Sequence, residues 1–191
     1  MKPLTNGSWA LTCAQIMLLG LCVCLAGAFV AQLTLGELPC PLCILQRMAM
    51  MLCALGPAMI LFEARRGHNE SAIYAQGFGL SVLAAILGMA ISTRQVLLHI
   101  LPGDPGYGSA VLGLHLYTWA LLVFICVLLG AAVGLLLIGT KGWTPPPLRL
   151  LSTLLPWLLA GLIAANLLSV FIEEGLHWVL PDDPVYYQLL K

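Results

Sequence analysis

Two cysteines with redox spacing open one of the long apolar stretches of the chain. The segment CPLCILQR, residues 40–47, places Cys40, Cys43 and Arg47 in the positions i, i+3 and i+7. If a helix begins at Pro41, where proline is well tolerated, the three side chains share one face. The helix N-terminus favours a thiolate, and the arginine keeps its charge and can stabilise a nearby anion. The pattern indicates a reversible dithiol/disulfide that exchanges electrons with a compound at membrane depth.

The same residue types allow other interpretations. A CxxC pair can bind zinc, but a tetrahedral site needs two more Cys or His ligands, and the sequence has no second CxxC and no HxxxH. Arg47 can also extend its charge to the headgroups, although a charge within a spanning segment usually marks function. Inert apolar filler is the expected role of the remaining cysteines, which lie inside apolar runs: Cys13, Cys22, Cys24, Cys53 and Cys126.

The composition defines the setting of this pair. The 191 residues are 61% hydrophobic and 8% charged, whereas soluble domains carry about 25% charged residues. The chain is therefore expected to be an integral membrane protein that contacts the lipid bilayer. Its formal net charge is zero, so no nucleic-acid partner is expected.

Five apolar stretches are long enough to span a bilayer as helices. We expect an all-α protein in which residues 1–191 form one transmembrane domain. The expected spans are about 9–31, 41–62, 72–93, 116–138 and 150–172, with an outside loop at 94–115 and an outside tail at 173–191. The first stretch is longer than the apolar core of a secretory signal peptide, about 7–15 residues, which favours a retained helix.

Charges are divided unevenly between the two sides of such a chain. One side holds five basic residues: Lys2, Arg65, Arg66, Lys141 and Arg149. The other side holds Arg94, Lys191 and six acidic residues: Glu37, Asp104, Glu173, Glu174, Asp182 and Asp183. The positive-inside rule then predicts a cytoplasmic N-terminus, with the cysteine pair and the C-terminus outside. In a bacterial inner membrane that side is the periplasm, where disulfides persist. A dithiol at that face must pass its electrons on, and a quinone dissolved in the membrane is a fitting acceptor.

The segment CPLCILQR at the start of a second membrane helix resembles the disulfide bond formation protein B (DsbB) family. The resemblance covers about residues 10–140, and the segment TRQVLLHILP at 93–102 is similar to the family's exit from its third helix. It implies a four-helix transmembrane bundle, here with a fifth C-terminal helix. It also implies a protein-disulfide:quinone oxidoreductase, which reoxidises a periplasmic thioredoxin-fold thiol oxidase of the DsbA kind and reduces ubiquinone or menaquinone.

The resemblance also implies roles for individual residues. Cys40 would exchange with another disulfide, and Cys43 would place its thiolate beside the quinone ring, in a charge-transfer complex or a transient adduct. Arg47 would polarise the quinone. Gln95 and His99 lie near the family's polar quinone-side residues, and for both a plain polar role at a helix interface is the alternative.

One departure from the family bears on how electrons enter. Well-known members carry a second cysteine pair between the third and fourth helices, but residues 94–116 contain no cysteine, and neither does the tail 173–191. Either a partner's cysteine attacks Cys40 directly, or another protein supplies the missing pair, or the oxidase function has been lost.

Two other functions stay open at this point. The chain could be a non-catalytic scaffold or a copper-handling protein, because thiolates and thioethers such as Met48, Met50 and Met51 suit Cu(I). The electron flow could also run in reverse and keep periplasmic thiols reduced, since its direction depends on reduction potentials.

Overall fold

Five long helices make up most of the protein. The computed structural model describes residues 8–142, 146–176, 184 and 186–190, with the backbone alone for 146–149. The helices are α1 Trp9–Leu35, α2 Pro41–Arg66, α3 Ser71–Leu98, α4 Leu116–Leu136 and α5 Pro146–Glu174. A hairpin of β1 (Ala110–Val111) and β2 (Leu114–His115) precedes α4, and Gln188–Leu190 form a short 3-10 helix. All five α-helices are long and apolar enough to cross a membrane, which confirms the expected all-α architecture with a fifth helix.

Helix ends follow from local chemistry. Ser8 is the N-cap of α1, and its hydroxyl oxygen accepts a hydrogen bond from the Leu11 N–H at 3.1 Å. Gly36 and Gly67 end α1 and α2 with φ of +68° and +90°, a conformation that glycine adopts without a Cβ penalty. The first three helices continue about a turn beyond the expected spans, because hydropathy reports the apolar part of a helix and not its polar ends.

The central helix is α2. Two thirds (67%) of its span is buried within the protein, against 17% for the span of α5. Helix α2 packs against α1 and α3, while α4 packs against α3 and α1, so these four form a bundle. Helix α5 lies against α1 and α2 on the outside of the bundle. The cysteine pair therefore starts the most enclosed helix, and α5 adjoins the α1–α2 side of the site.

Helices α2 and α3 approach closely through two glycines. A Cβ on Gly56 would overlap the carbonyl of Gly77, and a Cβ on Gly77 would overlap Ile60. A Cβ on Gly88 would likewise overlap the ring of Phe124 from α4, whereas a Cβ on Gly79 would meet open space. The contact between Gly56 and Gly77 sets the register between α2 and α3. It thereby sets which α3 side chains lie level with the cysteine pair.

The loop between α3 and α4 covers the entry to α2. Helix α3 continues to Leu98, so the loop is shorter than the expected 94–115. The Tyr107 hydroxyl donates to the Leu38 carbonyl at 2.6 Å, and the Ser109 N–H donates to the Glu37 carboxylate at 3.0 Å. These bonds attach the loop to the α1–α2 connection, directly before Cys40.

Candidate functional site

A disulfide joins Cys40 and Cys43, whose Cα atoms are 4.9 Å apart. Cys40 precedes the first helical residue of α2, and its sulfur accepts the backbone N–H of Cys43 at 3.1 Å. Cys40 is only 5% exposed, whereas Cys43 is half-buried and lines a cavity. The two sulfurs of one bond therefore face different surroundings.

Gln95 of α3 donates to both sulfurs. Its Nε2 lies 3.2 Å from Cys40 Sγ and 3.6 Å from Cys43 Sγ. Its Oε1 accepts from Gln46 Nε2 at 2.9 Å, so Gln46 holds the amide with its N–H groups toward the sulfurs. Donors aimed at a sulfur stabilise a thiolate when the disulfide is reduced.

Arg47 lies one turn after Cys43 and is held by α1. Its Nη1 donates to Gln32 Oε1 at 2.6 Å and its Nη2 donates to the Ala28 carbonyl at 3.2 Å. The guanidinium also lies 5.3 Å from the centre of the Phe29 ring. These contacts fix the charge inside the bundle, which differs from an arginine that only extends to the headgroups.

A cavity of about 390 Å³ contains the Cys43 and Arg47 side chains on its wall. Met50 of α2 adds to the same wall, and the other walls come from α1, α4 and the loop and include Ala120 and Val123. Ligand cavities in proteins typically measure about 300–1,000 Å³. Apolar walls suit a planar uncharged ring, and the fixed cation of Arg47 suits a polar carbonyl oxygen on such a ring. The lining therefore fits a quinone ring beside the Cys43 sulfur.

The structure places the predicted site residues in two groups. Cys40, Cys43 and Gln95 are in direct contact, and Arg47 shares the cavity with Cys43. His99 lies one turn beyond Gln95, at the end of α3, where its Nδ1 is 3.1 Å from Asp104 Oδ1. Its ring stacks 5.5 Å from that of Tyr117, which lines the cavity. The contacts of His99 are therefore with the loop and α4.

Two glutamines of the site, Gln32 and Gln46, had no role in the sequence interpretation. They are 3% and 4% exposed. A usable signal exists, because an amide inside an apolar membrane segment must find hydrogen-bond partners. The signal marks such residues as paired, but it does not name the partner.

Of the other sulfur residues considered in the sequence, Cys24 and Met50 line the cavity, and the rest lie elsewhere in the bundle. Cys22 and Cys53 are buried and Cys126 is exposed, all as free thiols. Of the methionines considered for copper, Met50 lines the cavity, Met51 is buried and Met48 is 48% exposed. These three side chains therefore point in different directions.

These features define a helical membrane protein with a disulfide at a helix N-terminus beside an arginine-lined cavity. The model of the family described as disulfide bond formation protein DsbB matches residues 11–108, just over half of the chain. The chain belongs to this family, and its five apolar helices make it a multi-pass protein of the inner membrane.

Individual relatives carry the same description. The chain is 40% identical over 93 residues to disulfide bond formation protein B of Chromohalobacter salexigens, covering 47% of this chain and 52% of that relative. The corresponding protein of Chromobacterium violaceum is 46% identical over 77 residues, or 40% and 44% of the two chains.

A longer match reaches disulfide bond formation protein B 1 of Pseudomonas fluorescens Pf0-1, 31% identical over 147 residues and covering 60% of this chain and 83% of the relative. The chain thus spans about half the length of the first two relatives and most of the third. No solved structure matches the chain significantly.

Proposed function

We propose that the protein is a protein-disulfide:quinone oxidoreductase that supports disulfide bond formation. The Cys40–Cys43 pair takes electrons from periplasmic thiols and passes them to ubiquinone or menaquinone in the membrane. The observation that carries the proposal is that Cys43 and Arg47, one turn apart on α2, line the same cavity.

The residues of the site suit this chemistry. When the reduced pair closes to a disulfide, the two thiols release two electrons and two protons. A bound quinone accepts the two electrons and the two protons and becomes a quinol. Gln95 holds the developing thiolate with its N–H groups, and Arg47 presents N–H donors and a positive charge to a polar atom in the cavity.

Electron entry from a partner is proposed at Cys40. A thioredoxin-fold thiol oxidase of the DsbA kind is the expected partner, and the charge distribution favours a periplasmic position for this end of α2. Because residues 94–116 contain no cysteine, either the partner's thiol attacks Cys40 directly or another protein supplies the cysteine pair that relays the electrons. Cys40 is 5% exposed beneath the loop, so the loop must move first.

The test is quinone reduction by the purified full-length protein in detergent. Dithiothreitol supplies electrons and a short-chain ubiquinone accepts them. We expect turnover in the wild type and its loss in Cys40→Ser and in Cys43→Ser, because each variant removes one half of the disulfide.

The matched control is Cys126→Ser, which changes an exposed thiol on α4 far along the chain from the pair. We expect it to retain wild-type turnover. A folded wild type that reduces no quinone, or equal activity in all four proteins, would contradict the proposed function.

A further inference from the structure

The amide of Gln32 connects Arg47 to the C-terminal part of the chain. Its Oε1 accepts from Arg47 Nη1, while its Nε2 donates to Ser169 Oγ of α5 at 3.0 Å and to the Tyr187 hydroxyl at 3.1 Å. Ser169 and Tyr187 lie 137 and 155 positions from Gln32, and they meet at this one side chain of α1. Both are half-buried, and Gln32 itself is 3% exposed.

The three bonds leave the amide of Gln32 one orientation. A guanidinium only donates, so it requires the carbonyl oxygen of the amide. The two N–H groups then point away from Arg47, and each finds a hydroxyl oxygen. Loss of either hydroxyl leaves a buried donor unpaired, which favours rotation of the amide and loosens its hold on Arg47.

Helix α5 also carries a buried carboxyl group one turn after Ser169. Glu173 is 2% exposed, and neither of its carboxyl oxygens has a hydrogen-bond partner among the described residues. Helix α5 and residues 184–190 lie beyond the stretch 11–108 that the family model matches. A segment outside the family match therefore contacts Gln32, the side chain that holds the cation of the candidate site.

We propose that Ser169 and Tyr187 are positioning residues that hold Arg47 through Gln32, so that α5 and the C-terminal segment complete the quinone-side half of the site. The inference rests on the proposed function. It assigns to the fifth helix a part in the reaction that the cysteine motif does not contain. Neither residue lines the cavity, so both act through Gln32 and Arg47.

The experiment measures the KM for a short-chain ubiquinone at saturating dithiothreitol in Tyr187→Phe, Ser169→Ala and Ser169→Thr. Tyr187→Phe and Ser169→Ala each remove one hydrogen bond, and we expect the KM to rise about three- to tenfold. Ser169→Thr keeps the hydroxyl and should remain close to wild type. In a Gln32→Leu background, Tyr187→Phe should add nothing, since the link is already broken.

Two controls separate positioning from general destabilisation. Tyr74→Phe removes another tyrosine hydroxyl, which donates to Asn69 Oδ1 at 3.2 Å at the start of α3, and it should leave the KM unchanged. The rate at which dithiothreitol reduces the Cys40–Cys43 disulfide should be equal in all variants, because that step does not use Arg47.

The outcomes distinguish the two proposals. A wild type that turns over while Tyr187→Phe and Ser169→Ala match Tyr74→Phe overturns the positioning role and leaves the proposed function standing. A rise in KM that Ser169→Thr shares with Ser169→Ala also overturns it, since the hydroxyl is then not the cause. A wild type without turnover overturns the proposed function and this inference together.

Discussion

The two sulfurs of the disulfide have opposite surroundings. Cys40 is enclosed, with the loop above it attached through Leu38 and Glu37. Cys43 borders a cavity of about 390 Å³ that already contains the Arg47 side chain on its wall. The cavity beside Cys43 is thus preformed, whereas we propose that access to Cys40 needs a loop movement. The two halves of the proposed reaction should therefore respond to different substitutions.

The largest effect is expected from the cation of the cavity side. In the proposed reaction Arg47→Met removes a fixed donor to the developing negative charge, and loss of such a donor lowers turnover about 100-fold or more. Quinone reduction by the purified variant measures this effect. In Arg47→Met the rate of disulfide reduction by dithiothreitol should stay near wild type. The rate of quinone reduction in Arg47→Lys should lie between those of the wild type and Arg47→Met. An equal loss in both half-reactions would mean that Arg47 supports folding and not the cavity side.

A smaller effect is expected from Gln95, which serves both sulfurs. Gln95→Leu removes the N–H donors to Cys40 and Cys43. Loss of about one hydrogen bond to a thiolate corresponds to roughly a tenfold smaller thiolate fraction, and so to a roughly tenfold lower rate of alkylation. Alkylation of the reduced protein by iodoacetamide at fixed pH measures the thiolate directly. Gln46→Leu, which leaves the donors but frees their orientation, should have a weaker effect. An unchanged alkylation rate in Gln95→Leu would remove Gln95 from the site.

The loop anchors should control access to Cys40, and Tyr107 also lines the cavity. The double variant Tyr107→Phe/Ser109→Ala removes the side-chain bonds to the Leu38 carbonyl and to Glu37. We expect a small thioredoxin-fold dithiol protein to reduce the disulfide about fivefold faster, because opening the loop then breaks two hydrogen bonds fewer, each worth about 0.5 kcal/mol at the low end of the usual range. Leu101→Ala, in the same loop and 71% exposed, is the matched control. Equal acceleration in the control would show that the anchors do not gate Cys40.

The smallest effect concerns the pH dependence of the loop. The Gly106 N–H at 2.8 Å, and then His99, hold the pKa of the Asp104 carboxyl below its usual value. A lowered pKa in the folded state contributes loop stability above the usual pKa of aspartate, about 3.9, and this contribution is lost as the pH falls through the lowered value. Cleavage of the loop by pepsin should therefore increase as the pH falls below about 4. Asp104→Asn should abolish this increase in cleavage. An increase of equal size in that variant would assign the pH dependence to another group.

The redox half of the site could largely be predicted from local sequence. A proline-started helix with cysteines at its first turn and an arginine one turn on places these groups by helix geometry alone. The family resemblance is confirmed by the match over residues 11–108 and by the named relatives. The roles given to Cys40, Cys43, Arg47, Gln95 and His99 stay predictions, and the structure shows which of these residues are neighbours.

The supporting half could not be predicted in the same way. Gln46 and Gln95 are separated by 49 positions, and Gln32 and Tyr187 by 155. Such pairs depend on the register of helices α2 and α3 at Gly56 and Gly77, and on where α5 packs. Neither is a local property of the sequence.

By itself, the sequence determined that this chain is a membrane protein of five apolar helices with a CxxC pair at the start of the second. Hydropathy and helical periodicity are properties of a single segment of about 20 residues, so they require no knowledge of how the helices pack. Only the tertiary structure decided that Cys40 is enclosed while Cys43 meets a cavity, and that the fifth helix reaches Arg47 through Gln32. These facts depend on long-range packing, because buried polar groups take whichever partner the folded helices bring within hydrogen-bond distance.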